Sequence, residues 1–132
     1  MKRFITVTAV MLSLIATAQS PIESEQSTNK CTATVYNAKD YVGQNITVCG
    51  YVAQVSTVES INGQPTYINM GGKYPNHHFT AVIWKKNILS WEGANLQEYN
   101  NQLLAITGEV VLYKGQAQIT VYTPKQIEII KL

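Results

Sequence analysis

The sequence predicts an all-β domain of five strands, closed as a small Greek-key barrel with one short helix between the third and fourth strands. Three observations carry this. Apolar and polar residues alternate in short runs over 45–58, 66–70, 79–85, 103–113 and 116–122. Turn-forming residues, Asn62-Gly63 and Lys114-Gly115 among them, separate the runs. Between the third and fourth runs the alternation gives way to helical spacing at Leu96, Tyr99 and Leu103.

Taken in order, residues 1–18 read as a signal peptide. Lys2 and Arg3 precede the apolar run Ile5–Ile15, and Ala16-Thr17-Ala18 supplies the small residues, with cleavage expected after Ala18. The run is short for a permanent bilayer span. Residues 19–30, QSPIESEQSTNK, are polar and read as a flexible tether, leaving 31–132 as one domain. Thr32–Tyr36 is β-prone, and Asn37 caps about one helical turn over Ala38–Val42 that Gly43 can end.

The first long strand, Asn45–Val58, sets Ile46, Val48, Gly50 and Val52 against Thr47, Cys49, Tyr51 and Ala53. Gly50 at its middle predicts a bulge or bend, which lets one strand serve two sheets. Asn62-Gly63 predicts a type I′ hairpin turn. In the next two strands Tyr67 and Asn69 oppose Ile68 and Met70, while Phe79, Ala81 and Ile83 oppose Thr80, Val82 and Trp84. Phe79 is assigned to the core. The loop between them, GGKYPNHH, holds Gly71-Gly72, read first as a turn and second as a close backbone approach to a ligand. A weak helix is expected near Ala94–Asn100, because Gly93 and Asn95 oppose it. Leu103–Tyr113, the Lys114-Gly115 turn, Gln116–Tyr122 and an apolar tail at Ile127, Ile129 and Ile130 complete the chain.

Five strands with a helix between the third and fourth is the OB-fold plan. Several segments resemble bacterial exported OB-fold domains of the nucleic-acid-binding type: Tyr41-Val42-Gly43-Gln44, Ile46–Gly50, Ile68–Gly72 with Tyr74-Pro75-Asn76, and Phe79–Trp84. Thr107-Gly108, Leu112–Gly115, Gln118-Ile119 and Pro124–Ile127 extend the likeness over roughly residues 38–130. The resemblance implies a nucleic-acid-binding module of exported proteins. A looser resemblance, to small exported OB-fold stress proteins, implies a binder of small or cationic ligands.

On that plan bases stack on aromatic side chains of the second and third strands while lysines hold the backbone. The candidate residues are Tyr67 and Trp84 as platforms, Lys73, Lys85 and Lys114 as phosphate contacts, with Asn69, Lys86 and Tyr113 beside them. The competing reading is that Tyr67 and Trp84 cap the ends of the barrel core.

Charge limits the grip such a site has. Without Lys2 and Arg3 the exported chain keeps eight lysines and no arginine against eight acidic residues. Bidentate guanidinium contacts to phosphate or guanine are therefore excluded, and a lysine serves only as a point charge. Cys31 and Cys49 form an even pair in an oxidising compartment. A disulfide between them closes a loop of about 19 residues, worth ~3 kcal/mol on the chain-entropy account. The alternative is two buried free thiols.

No enzyme is expected. A nuclease on this plan needs clustered carboxylates and arginines, and the exported chain has one aspartate, Asp40, with scattered glutamates. No Ser-His arrangement stands at motif spacing. His77 and His78 point apart on a strand and lack an acidic partner, so neither a metal nor another cofactor is expected. The expectation is an exported, monomeric binding module, periplasmic or secreted. Its first expected partner is single-stranded DNA or RNA, and the alternative is a small ligand, a peptide or an envelope protein.

Overall fold

The long strand is where the fold is decided. In the computed structural model, which describes residues 30–132, it is β2, Asn45–Thr57. (The expected signal peptide, and all of the expected tether except Lys30, lie outside the described residues.) Ile46, Val48 and Val52 are buried at a period of two, as a half-buried strand requires. The next buried position is Val55, three residues on. The pairing explains the slip: Val52 faces Met70 and Gln54 faces Asn69, so Ala53 is a bulge. Before it, Asn45–Tyr51 pairs antiparallel with β5, Leu103–Glu109. From Val52 on, the strand pairs antiparallel with β3, Thr66–Met70.

One strand thus serves two ladders, exchanging partners between Tyr51 and Val52, and the bulge falls at Ala53 and not at the expected Gly50. Gly50 has another task. Val35 packs over it, and a Cβ there would collide with Val35 Cγ1.

Among the described residues eight strands are found, in a mostly-β domain. Besides those named they are β1 (Ala33–Thr34), β4 (Phe79–Ile83), β6 (Val111–Tyr113), β7 (Gln116–Thr120) and β8 (Ile127–Ile129). Their hydrogen-bonded order is β6-β7-β4-β3-β2-β5-β8, with β1 parallel to β2. β4 and β7 also run parallel. The single strand expected over 103–113 divides at Val110, whose N–H bonds to Gln44 O and whose carbonyl accepts from Gly43 N. Beyond that residue the chain leaves the β2 ladder and joins β7. The apolar tail becomes β8, paired with Leu104–Ile106 of β5.

Three turns differ from expectation or sharpen it. Between β2 and β3 the positive φ values fall on Gly63 (85°) and Gln64 (41°), not on Asn62. Gln64 N bonds to Ile61 O, so Gly63 holds the third place of a four-residue turn, the type II arrangement and not type I′. Lys114 (φ 50°) and Gly115 (φ 78°) are both positive between the paired Tyr113 and Gln116, which is the type I′ pattern. The helix expected over 94–100 is a 3-10 turn, Leu96–Tyr99, with Asn95 Oδ1 accepting from Gln97 N. A second 3-10 segment, Lys85–Trp91, precedes it. Both are too short to offset α-helix nucleation and close with bonds to the third residue back, such as Asn100 N to Gln97 O.

The core gathers Val48, Val52, Ile68, Met70, Phe79, Ile83, Leu104, Ile106 and Ile119, joined by Trp91 at the end of the Lys85–Trp91 segment. Trp91 Nε1 donates to Tyr99 OH at 3.1 Å, which satisfies its one polar atom. Cys31 and Cys49 form the expected disulfide, with 5.5 Å between their Cα atoms, and it fastens the start of the described chain to β2.

Candidate binding groove

The face of the sheet opposite the core is set by strand parity. Ile68 and Met70 of β3 and Phe79, Ala81 and Ile83 of β4 point inward and are fully buried. Their alternates point the other way, and the registers line them up. Gln54 faces Asn69, Asn69 faces Thr80, and Thr80 faces Gln118, giving one polar row across β2, β3, β4 and β7. The next row runs Ser56, Tyr67, Val82 and Thr120. Bulge and register together make this face: without the Ala53 insertion Gln54 would point inward with Val52.

The row is held by hydrogen bonds. Thr80 Oγ1 donates to Asn69 Oδ1 at 2.9 Å, and Asn69 Nδ2 donates to Gln54 Oε1 at 3.1 Å. Asn69 and Thr80 are only 4% and 5% exposed, so these bonds satisfy groups whose burial would otherwise be costly. Tyr74 N, from the loop 71–78, donates to the same Gln54 oxygen at 3.0 Å.

Aromatic side chains wall the row. Tyr67 rises from β3, Tyr113 from β6, and Tyr74 from the loop, where its ring stacks on His77 at 5.7 Å between centroids. Gln116 Nε2 donates to His77 O at 3.0 Å and ties that loop to β7. Together these residues line a groove of about 460 Å³ that Lys114 also reaches. Burial, and then the proximity of Tyr113, push the Tyr67 phenol above its ordinary pKa, against a smaller opposing pull from Lys114. The phenol therefore stays a donor at neutral pH. Burial, and then His78, hold the His77 imidazole below its ordinary value. Its Nδ1 is buried without a hydrogen-bond partner among the described residues.

The sequence-predicted site residues divide. Tyr67, Asn69, Tyr113 and Lys114 line the groove. Trp84, Lys85 and Lys86 line a separate, more open hollow of about 850 Å³ beside the 59–64 loop. Trp84 packs against Gly63, where a Cβ would stand 2.9 Å from Trp84 Cε3, and Lys85 Nζ bonds to Gln64 Oε1 at 2.7 Å. Ile61 borders both hollows. Lys73 is exposed in the 71–78 loop and lines neither. Gln54, Thr80, Gln116, Gln118, Tyr74 and His77 join the groove although the sequence did not single them out for it. Thr80 shares a parity with Tyr67 once the strands are paired, so pairing β3 with β4 on paper would have found it.

No family model and no curated protein matches the chain. Solved structures do. The chain is similar to OBody AM2EP06 bound to hen egg-white lysozyme, at 13% identity over 76% of this chain and 94% of that one, with a TM-score of 0.51. It is similar also to a candidate aspartyl-tRNA synthetase from Leishmania major, at 9% identity over 83% of this chain and 22% of that one, TM-score 0.51. Against the structure of yeast Stn1 and Ten1 the identity is 19% over 67% of this chain and the TM-score 0.47. The chain spans 43% of the length of that yeast chain. At such identities the likeness shows the fold alone, and that fold is of the OB type.

Proposed function

We propose that this chain is an exported, non-enzymatic binding module that holds single-stranded nucleic acid, weakly, along the groove over β2, β3, β4 and β7. The reading counts β5 and β6 as one strand of a five-stranded OB barrel with β2, β3, β4 and β7, and treats β1 and β8 as additions. One observation carries it: tyrosines flank a polar row in register across four strands, on the face that OB barrels use for oligonucleotides. Stacking a base on an aromatic ring contributes ~1–3 kcal/mol. Two platforms, Tyr67 and Tyr113, with one lysine, fit a Kd on the order of 10 µM to 1 mM at low salt.

Export is supported by the basic-apolar-small order of residues 1–18 and by the Cys31–Cys49 disulfide, which suits an oxidising compartment. A second reading, an envelope protein that binds a small ligand, peptide or protein, is favoured by Lys114 being, among the described residues, the one lysine lining the groove. The OBody neighbour, bound to lysozyme, is an instance of a protein ligand on such a fold.

Fluorescence anisotropy with labelled single-stranded DNA and RNA separates the readings. Binding at low salt is expected, with a shallow salt slope of about −0.7, the value for one neutralised phosphate on a single strand. Absence of binding to either strand at low salt would remove the first reading and leave the second.

A further inference from the structure

Two glutamines in the groove face opposite ways, and in each the backbone dictates which way. A backbone N–H only donates, so the Gln54 atom 3.0 Å from Tyr74 N is the carbonyl Oε1. Asn69 donates to that same oxygen, which turns its own Oδ1 toward Thr80 and makes the Thr80 hydroxyl the donor. The relay therefore runs in one direction and ends on Gln54 Oε1. The Gln54 NH2 is left in the groove with two N–H donors and no acceptor among the described residues. Gln116 is the reverse. A backbone carbonyl only accepts, so its Nε2 faces His77 O at 3.0 Å with one N–H, and its Oε1 is left as an acceptor beside the second N–H.

We infer that the groove selects base edges over phosphates, with Gln54 as a fixed donor and Gln116 as a fixed acceptor. The inference rests on the nucleic-acid reading above. A phosphate oxygen only accepts: it can take bonds from Gln54 and from the second N–H of Gln116, but it leaves Gln116 Oε1 without a donor. Base edges offer both acceptors and N–H donors, so bases in the groove supply a partner of the right kind to each amide while their faces lie against tyrosine rings. Neither amide can turn over to suit a different ligand without breaking its bond to the backbone, and Gln54 would also lose its bond from buried Asn69. Gln54 and Gln116 are thus specificity-determining residues.

Gln54→Glu tests this directly. A carboxylate keeps the bonds from Tyr74 N and Asn69 Nδ2 but has no N–H to offer. Gln118→Glu, in the same row, adds the same charge without touching the relay. The probes are a short labelled DNA strand of mixed sequence and an abasic strand of equal length. Wild type is expected to prefer the mixed strand by about tenfold or more. Gln54→Glu should melt close to wild type yet lose about tenfold in affinity, and Gln118→Glu less than about threefold. Equal binding of the two strands by wild type overturns the inference. So does unchanged affinity in Gln54→Glu, an equal loss in Gln118→Glu, or a Gln54→Glu chain that melts far below wild type. In those cases wild-type binding keeps the nucleic-acid reading standing. Wild type that binds neither strand overturns the reading and the inference together.

Discussion

The groove and the Trp84 hollow meet at Ile61, yet their aromatic residues are held in different ways. Tyr67 lies within the ladder, opposite Ser56 on one side and Val82 on the other, so its face is fixed by pleat and register. Trp84 lies one residue past the last β3–β4 pair, Thr66 with Ile83, and packs instead on Gly63 of the neighbouring turn. Strand parity decides where a side chain points only as far as the ladder runs. Beyond it the adjoining loop decides, and here the loop draws Trp84, Lys85 and Lys86 into a hollow of their own.

The largest expected contrast is between two alanine variants. Tyr67→Ala removes a stacking platform and should weaken oligonucleotide binding by ~1–3 kcal/mol, with little change in stability. Trp84→Ala removes a half-buried ring from the turn and should lower unfolding stability by ~1–2 kcal/mol while leaving affinity within about twofold. Anisotropy and urea denaturation on both variants check the pair. An equal loss of binding would merge the two regions again.

Asn69→Leu should cost ~1–3 kcal/mol in unfolding stability, because the buried Thr80 hydroxyl then lacks its acceptor. The double change Asn69→Leu with Thr80→Val should recover part of that loss. No recovery would mean that the relay does not hold the groove floor.

The smallest effect is a pH dependence on the groove side. His77 titrates below its ordinary value of about 6.5, so the unfolded chain takes up the proton first as pH falls. Its contribution to stability is therefore present above pH ~6.5 and lost as the pH drops toward the folded-state value. Subtracting the denaturation profile of His77→Asn from that of wild type should reveal this fall between about pH 7.5 and pH 5.5. A difference that rises as pH falls would contradict the assignment.

Much of the fold was legible because short-range rules govern it. β3 is found at its expected bounds, the core face of β4 is as read, and the Cys31–Cys49 pair is joined. What the sequence hid depends on distant partners. The bulge at Ala53 answers to the register with β3, not to a glycine. Val110 divides an alternating run because one half pairs with β2 and the other with β7. The same dependence governs the groove. Tyr67, Asn69, Tyr113 and Lys114 were readable as a surface, but Gln54 changes face at the bulge, and Gln116 is aimed by the His77 carbonyl far along the chain.

The most direct test of the account is a nitrogen-15 NMR titration with a short single-stranded oligonucleotide. The account predicts shift changes at the side-chain amides of Gln54, Asn69, Gln116 and Gln118 and at the Tyr67 and Tyr113 backbones, with the Trp84 indole unmoved. Changes centred on Trp84, Lys85 and Lys86, with the four groove amides still, would contradict it.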